Sequence, residues 1–107
     1  MAISSREPIV GVGLVIPKSG AVVQRIEIYT ARQCPYCASA KAILKRKGLA
    51  FTEFDIAGNW ELRDEMIERA HGNATVPQIF IGSTHIGGCT ELQELDRSNR
   101  LDALVSA

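Results

Sequence analysis

The sequence predicts a single α/β domain in which a mixed β-sheet is flanked by α-helices. From residue 25 onward, short β-branched and aromatic runs alternate with segments of helical periodicity. The first strand–helix–strand unit requires a parallel strand pair, and a later hairpin adds an antiparallel pair, so the sheet is mixed. A length of 107 residues fits one domain and leaves no room for two.

The first half of the domain is predicted to contain a strand, a helix and a second strand. Residues 26–29 form the first β-branched and aromatic run. Residues 35–47 are mostly good helix formers, and Gly48 marks the end of that helix. Its apolar positions recur every three or four residues and are Cys37, Ala40, Ile43 and Leu44. Residues 51–56 show the alternation of a second strand.

The second half is predicted to begin with a helix followed by a β-hairpin. Asn59 is the predicted N-cap of this helix, and residues 71–73 end it. Its buried stripe is predicted to be Leu62, Met66, Ile67 and Ala70, and Trp60 is expected to pack in its first turn. Residues 78–81 and 84–86 are two short strands around a Gly82-Ser83 turn.

A third helix and a short final helical turn complete the predicted domain. Thr90 is expected to begin the third helix as a capping box with Gln93, since each side chain can bond the other's free backbone N–H. Leu92 and Leu95 would supply its apolar contacts. Residues 101–105 are expected to pack a last helical turn on the sheet.

Composition and charge narrow the classes of partner. Hydrophobic residues make up 46% of the chain and charged residues 22%, which are ordinary globular values. Twelve basic residues balance twelve acidic ones, so no basic field exists to hold nucleic acid or an anionic membrane. The longest apolar run, residues 9–16, is too short to span a bilayer and is a poor signal-peptide core. We therefore expect a cytoplasmic protein without nucleic-acid or membrane partners.

Residues 1–24 differ from the domain that residues 25–107 are predicted to form. They contain glycines, prolines and a β-branched stretch without helical period. We expect an N-terminal extension that is either flexible or covers an edge of the sheet.

The residues that carry chemistry lie at Cys34-Pro35-Tyr36-Cys37, where the first predicted helix begins. A cysteine at this place faces unpaired backbone N–H groups and the positive end of the helix dipole, which favour a thiolate. Pro35 fits the first helical position because its missing N–H costs nothing there. Cys37, three residues on, lies on the same side of the helix and points inward. We therefore expect Cys34 to be the attacking nucleophile and Cys37 to be the resolving thiol.

A zinc site is the rival interpretation of the two-cysteine motif. Zinc requires four ligands, and the other candidates are Cys89, His71 and His85. These three do not form a second paired ligand set, so we expect no metal.

Three motifs together resemble those of a known family. They are Cys34-Pro35-Tyr36-Cys37, Thr75-Val76-Pro77 with the strand at residues 78–81, and His85-Ile86-Gly87-Gly88-Cys89. From about residue 25 to residue 105 the sequence resembles a dithiol glutaredoxin of the small bacterial type, in the thioredoxin superfamily. The resemblance implies the thioredoxin fold, with a central four-stranded mixed β-sheet flanked by α-helices. It also implies reduction of disulfides with glutathione as co-substrate.

The resemblance further implies a glutathione site. A cis bond before Pro77 would aim the backbone of Val76 at the ligand, and Gly88 would permit close approach. The N–H groups of Cys89 and Thr90 would receive the γ-glutamyl carboxylate at a helix N-terminus. The full set of expected glutathione-binding residues is Arg32, Tyr36, Arg63, Thr75, Val76, Pro77, Gly88, Cys89 and Thr90.

Some of these residues also have a plainer interpretation. Arg32 is as compatible with solvent as with an anion, and Arg63 either meets the glycine carboxylate of glutathione or is a solvated surface residue. Cys89 is favoured as a small semi-buried residue over a redox role. Two positions depart from the family pattern, since relatives often carry Lys where Ala31 stands and usually carry Asp where Thr90 stands.

The expected partners are glutathione and proteins that are glutathionylated or contain disulfides. Glutathione reductase would act indirectly, through glutathione, and a monomer is expected. Two alternatives stay open. One is a thioredoxin-like reductant recharged by a flavoprotein reductase, and the other is a glutathione-assisted iron–sulfur carrier dimerised through Cys34.

Overall fold

The computed structural model describes residues 9–10 and 24–106. Nine elements lie in this part of the chain. In chain order they are β1 (Ile9–Val10), β2 (Ile26–Thr30), α1 (Pro35–Arg46), β3 (Thr52–Asp55), α2 (Trp60–Arg69), β4 (Gln78–Ile81), β5 (Thr84–Gly87), α3 (Cys89–Arg97) and α4 (Leu101–Val105). Within the described ranges, no helix is long and apolar enough to cross a membrane.

The strands form one mixed sheet in the order β1-β3-β2-β4-β5. β2 and β3 are parallel, and the β2–β4 and β4–β5 pairs are antiparallel. These four strands confirm the predicted four-stranded mixed sheet. The two residues of β1 pair antiparallel with the outer edge of β3. The rest of the segment predicted as an N-terminal extension, apart from Gln24, lies outside the described residues.

Apolar side chains cover both faces of the sheet because the strands alternate. In β2, Ile26 and Ile28 enter one buried cluster with α1, α3 and α4, whereas Tyr29 enters the other with α2. In β4, Ile79 and Ile81 join the first cluster and Phe80 joins the second. Helices therefore lie on both faces, and the ends of the strands are left free to carry a site.

The helix ends show which local signals control the chain. Asn59 is the N-cap of α2, as predicted, and its Oδ1 accepts from the N–H of Leu62 at 3.1 Å. The predicted start of the third helix was wrong. Gly88 is the N-cap of α3, and its N–H donates to Oε1 of Glu91 at 2.8 Å. β5 ends at Gly87 and Gly88 caps the helix, so α3 begins at Cys89, one residue before Thr90.

One predicted packing residue is instead at the surface. Trp60, in the first turn of α2, is 72% exposed. The guanidinium of Arg63 lies 5.6 Å from the centroid of its ring, so the contact is a cation–π pair at the surface.

Candidate active site

Cys34 lies where the chain leaves β2 and enters α1. It is the N-cap of α1, and its Sγ accepts from the N–H of Cys37 at 3.2 Å. Pro35 occupies the first turn, as predicted. Gln33, with φ of 55°, turns the chain so that the sulfur faces the N-terminus of the helix. The sulfur thus accepts one of the unpaired N–H groups at the positive end of the α1 dipole.

Cys37 lies in the interior, one turn further along α1. Its side chain is 2% exposed. Burial, followed by its hydrogen bond with Cys34, raises the pKa of the Cys37 thiol to about 12. The two sulfurs therefore have different surroundings, since Cys34 is half-buried and Cys37 is covered and held protonated.

A groove of about 210 Å³ runs beside Cys34. One wall is the segment before β4, where the Val76–Pro77 peptide bond is cis, as the resemblance implied. The carbonyl oxygen of Val76 lies 3.9 Å from Sγ of Cys34. The lining residues are Tyr36, Thr75, Val76, Pro77, Gly88, Cys89, Thr90 and Glu91. Seven of the nine residues expected for glutathione therefore lie around one groove.

The opposite wall of the groove depends on two glycines. Gly87 has φ of 116°, a conformation that side chains disfavour. A Cβ on Gly88 would lie 3.3 Å from the carbonyl oxygen of Pro77, so the missing side chain lets the two walls approach. Glu91, which caps Gly88, also lines the groove and was not predicted; the Gly-x-x-Glu spacing is the signal that could have identified it.

Arg32 and Arg63 are not part of the groove lining. Arg32 is exposed and lines a second cavity, of about 570 Å³, which also contacts Cys34 and Cys37. Arg63 lies over the Trp60 ring on α2.

The second cavity contains a half-buried carboxylate that the sequence motifs did not indicate. Oε2 of Glu53 accepts from Thr30 Oγ1 at 2.6 Å and from Lys41 Nζ at 2.9 Å. Burial alone would raise the pKa of Glu53, but these two hydrogen bonds and the charge of Lys41 outweigh it and lower the pKa. Lys41 is four residues after Cys37 and therefore lies on the same face of α1. This spacing is the sequence signal that could have placed Lys41 in the cavity.

Cys89 is 5% exposed at the first turn of α3. Burial, then the nearby charges of Cys34 and Glu91, raise the pKa of its thiol. This is the environment of a small buried residue. Within the described part of the chain, no three His, Cys, Asp or Glu residues are grouped so that they could hold a metal ion.

Residues 26–86 match the family model described as Glutaredoxin. The chain belongs to the glutaredoxin family. It is 52% identical over 82 residues to the glutaredoxin of Pseudomonas aeruginosa, which covers 77% of this chain and 96% of that protein. It is 54% identical over 80 residues to glutaredoxin 3 of Escherichia coli, covering 75% of this chain and 95% of that one. The solution structure of glutaredoxin from Brucella melitensis matches with a TM-score of 0.72 at 49% identity, over 82% of this chain and 95% of that chain.

Membership settles the fold and the class of reaction. This glutaredoxin has the thioredoxin fold that the resemblance implied, and it is a thiol–disulfide oxidoreductase. Cys34 and Cys37 lie at the N-terminus of α1 and line the second cavity.

Proposed function

We propose that the protein uses glutathione to reduce protein–glutathione mixed disulfides and protein disulfides, with Cys34 as nucleophile and Cys37 as resolving thiol. The observation that carries this proposal is the contrast between the two sulfurs. Sγ of Cys34 accepts a backbone N–H at the helix N-terminus and lies 3.9 Å from the Val76 carbonyl in the wall of the groove, whereas Cys37 is 2% exposed. Only Cys34 can be approached by an external disulfide.

The reaction with a glutathionylated protein needs Cys34 alone. Its thiolate attacks the sulfur of the glutathione moiety, and the protein thiolate leaves and takes up a proton. The Cys34–glutathione disulfide is then attacked by the thiolate of a second glutathione. Oxidised glutathione leaves, the Cys34 thiolate is regenerated, and one disulfide has been exchanged for another.

The reaction with a protein disulfide needs both cysteines. Cys34 attacks one sulfur and forms a mixed disulfide, while the first substrate thiolate leaves. Sγ of Cys37 then attacks Sγ of Cys34 and forms the Cys34–Cys37 disulfide, while the second substrate sulfur leaves and takes up the Cys37 proton. Two glutathiones reduce this bond and leave as oxidised glutathione, which glutathione reductase would return to the thiol with NADPH.

The groove beside Cys34 is the proposed glutathione site. An extended cysteinyl unit would pair with the exposed backbone of Val76 as a short β-strand does. The N–H groups of Cys89 and Thr90, in the first turn of α3, have no partner within the helix and would receive the γ-glutamyl carboxylate. Tyr36, 68% exposed, would flank the glutathione sulfur. Arg32 and Arg63 remain proposed contacts for ligand carboxylates from outside the groove.

A coupled assay tests the proposal directly. It contains glutathione, NADPH, glutathione reductase and a glutathionylated peptide, and it is repeated with an insulin-type protein disulfide. Cys34→Ser should abolish both activities. Cys37→Ser should keep the first activity and lose the second, because only the second requires a resolving thiol.

Two outcomes would overturn the assignment. Loss of both activities in folded Cys37→Ser would show that Cys34 does not act alone on mixed disulfides. Absence of turnover by the folded wild-type protein, with turnover restored by a flavoprotein reductase, would make it a thioredoxin-like reductant. Colour in freshly purified protein, with an iron–sulfur absorption spectrum, would favour the cluster carrier.

We also propose that the enzyme is a cytoplasmic monomer. Size-exclusion chromatography tests the oligomeric state, because it measures the molecular mass in solution.

A further inference from the structure

A buried carboxamide lies directly behind one wall of the groove. Gln78, the first residue of β4, is 1% exposed and follows Pro77 in the chain. Its Nε2 donates to the carbonyl oxygen of Thr75 at 2.9 Å and contacts Oγ1 of Thr75 at 3.2 Å. Its Oε1 lies 2.7 Å from Nε2 of His85. Both ends of the amide are therefore bonded, one to the wall of the groove and the other to β5.

The carbonyl of Thr75 fixes the donor and acceptor in both hydrogen bonds, the one between Gln78 and Thr75 and the one between Gln78 and His85. A carbonyl oxygen only accepts, so the amide nitrogen of Gln78 must face Thr75 and its oxygen must face His85. Nε2 of His85 must then carry a hydrogen and donate it. Stacking on Phe80, with ring centroids 5.0 Å apart and planes at 26°, holds the imidazole in this orientation.

The groups around His85 favour its neutral ring, and the hydrogen bond from Nε2 to Gln78 does not depend on the protonation state. Burial, then the neighbouring His71 and Arg69, lower the pKa of His85, and Glu91 opposes them. Both the neutral Nε2–H form and the imidazolium carry a hydrogen on Nε2, so either form can donate to Gln78.

The bonded chain connects the two walls of the groove. His85 lies two residues before Gly87 on β5, and Thr75 directly precedes Val76. Thr75 is held from its other side by Asn73, whose Oδ1 accepts from the N–H of Thr75 at 3.0 Å and from its Oγ1 at 2.7 Å. The position of the Val76 backbone is therefore set by side chains that do not line the groove.

We propose that Gln78 and His85 are positioning residues, which hold the wall formed by residues 75–77 where a glutathione moiety can pair with the Val76 backbone. Neither residue touches the ligand or the reacting sulfurs. The inference rests on the proposed function, because it assigns how that glutathione site is held in shape.

Variants of His85 test this, since the residue is only half-buried and tolerates replacement better than Gln78. His85→Ala removes one neutral hydrogen bond and should raise KM for a glutathionylated peptide about three- to tenfold, with kcat little changed. His85→Gln should restore KM, because its amide nitrogen reaches the position of Nε2. His85→Asn should not, because its amide is one bond shorter. His71→Asn is the matched control and should leave KM unchanged. The ring of His71 lies 5.8 Å from the ring of His85, and asparagine tolerates the φ of 59° at position 71.

A second readout separates positioning from general loosening of the fold. The rate at which Cys34 reacts with 2,2′-dithiodipyridine, which has no glutathione part, should be the same in wild type and His85→Ala. An equal fall in this rate and in peptide turnover would overturn the inference, as would an unchanged KM in His85→Ala or a failure of His85→Gln to restore it. A wild-type protein that does not turn over the glutathionylated peptide would overturn the proposed function, and this inference with it.

Discussion

The two cysteines of the active-site turn differ because three residues of helix carry the chain from the surface into the core. Sγ of Cys34 accepts the N–H of Cys37 at the N-terminal end of α1, whereas the Cys37 side chain is 2% exposed. A buried thiol loses its proton with difficulty, and this has a cost in stability that depends on pH.

The reduced protein should lose stability as pH rises above about 8.5, the ordinary cysteine pKa. Between that pH and the folded-state pKa of about 12, the unfolded chain has released the Cys37 proton and the folded chain has kept it. Cys37 should therefore lower the free energy of unfolding by up to about 1.4 kcal/mol per pH unit in this window and contribute no slope below it. Urea denaturation of the reduced protein from pH 7 to 10.5 measures the slope.

Cys37→Ser is the control for this prediction. It removes the titrating thiol, so its stability should decline less steeply, with a remainder from Cys89, whose pKa is also raised. Equal slopes in the variant and the wild type would contradict the prediction.

Thr90 lies in the groove at a position where relatives usually carry Asp, so a negative charge is expected to be missing there. It lies exposed in the first turn of α3, where it supplies an N–H but has no carboxylate for the α-ammonium of glutathione. Thr90→Asp should tighten glutathione use by about 0.2–1 kcal/mol, which is several-fold at most. The apparent KM for glutathione measures this at low salt, with Thr90→Asn as the uncharged control. An equal gain in both variants would show that shape, and not charge, limits binding.

At the scale of elements, α2 depends on a cap that the sequence specifies plainly. Asn59 is followed by Trp60, which is 72% exposed and adds little buried area at this end of the helix. Asn59→Ala should lower the free energy of unfolding by about 1 kcal/mol, because it leaves the N–H of Leu62 without its acceptor. Urea denaturation measures the loss. Asn59→Asp keeps the acceptor and should be close to wild type; a similar loss in both would assign the effect to other contacts.

The elements also show where local sequence is sufficient and where it is not. The strands β2 to β5, α1 and the Asn59 cap follow from periodicity and from single capping residues, so they were predictable. The start of α3 was not, because Thr90–Gln93 and Gly88–Glu91 offer competing caps and only the extent of β5 decides between them. The prediction that Trp60 packs in the first turn of α2 was wrong, because the position of a residue in a helix does not show whether another element packs against that side.

The parts of the site that sequence could not supply depend on strand register. Glu53 reaches Thr30 because β3 pairs in parallel with β2, with Thr30 opposite Asp55. His85 reaches Gln78 because β5 folds back on β4 across an irregular register. Both pairs are far closer in space than any spacing in the chain suggests. The cysteines and most of the groove were identified because their motifs are short and continuous.

At the scale of the whole molecule, the described part of the extension and the groove involve different elements. β1 pairs with Thr52 and Glu53 at the outer edge of β3, whereas the groove lies between α1, the segment before β4 and the start of α3. A chain that begins at Gln24 should therefore keep the kcat and KM of the full chain. It should also self-associate more readily, because removal of β1 leaves the β3 edge unpaired and able to join another copy.

The coupled assay and size-exclusion chromatography over a range of concentrations measure these two effects, with the full chain as control. A fall in turnover by the shortened chain would show that the extension contributes to catalysis. Identical elution profiles would show that the β3 edge is protected in another way.

The distribution of the three cysteines has a practical consequence for following the molecule in mixtures. Cys34 is half-buried, whereas Cys37 and Cys89 are 2% and 5% exposed. A brief pulse of an alkylating reagent should add one label to a native reduced chain and three labels to an unfolded one. The mass of each labelled chain then reports its conformation, so partial unfolding can be counted molecule by molecule without a fluorescent tag.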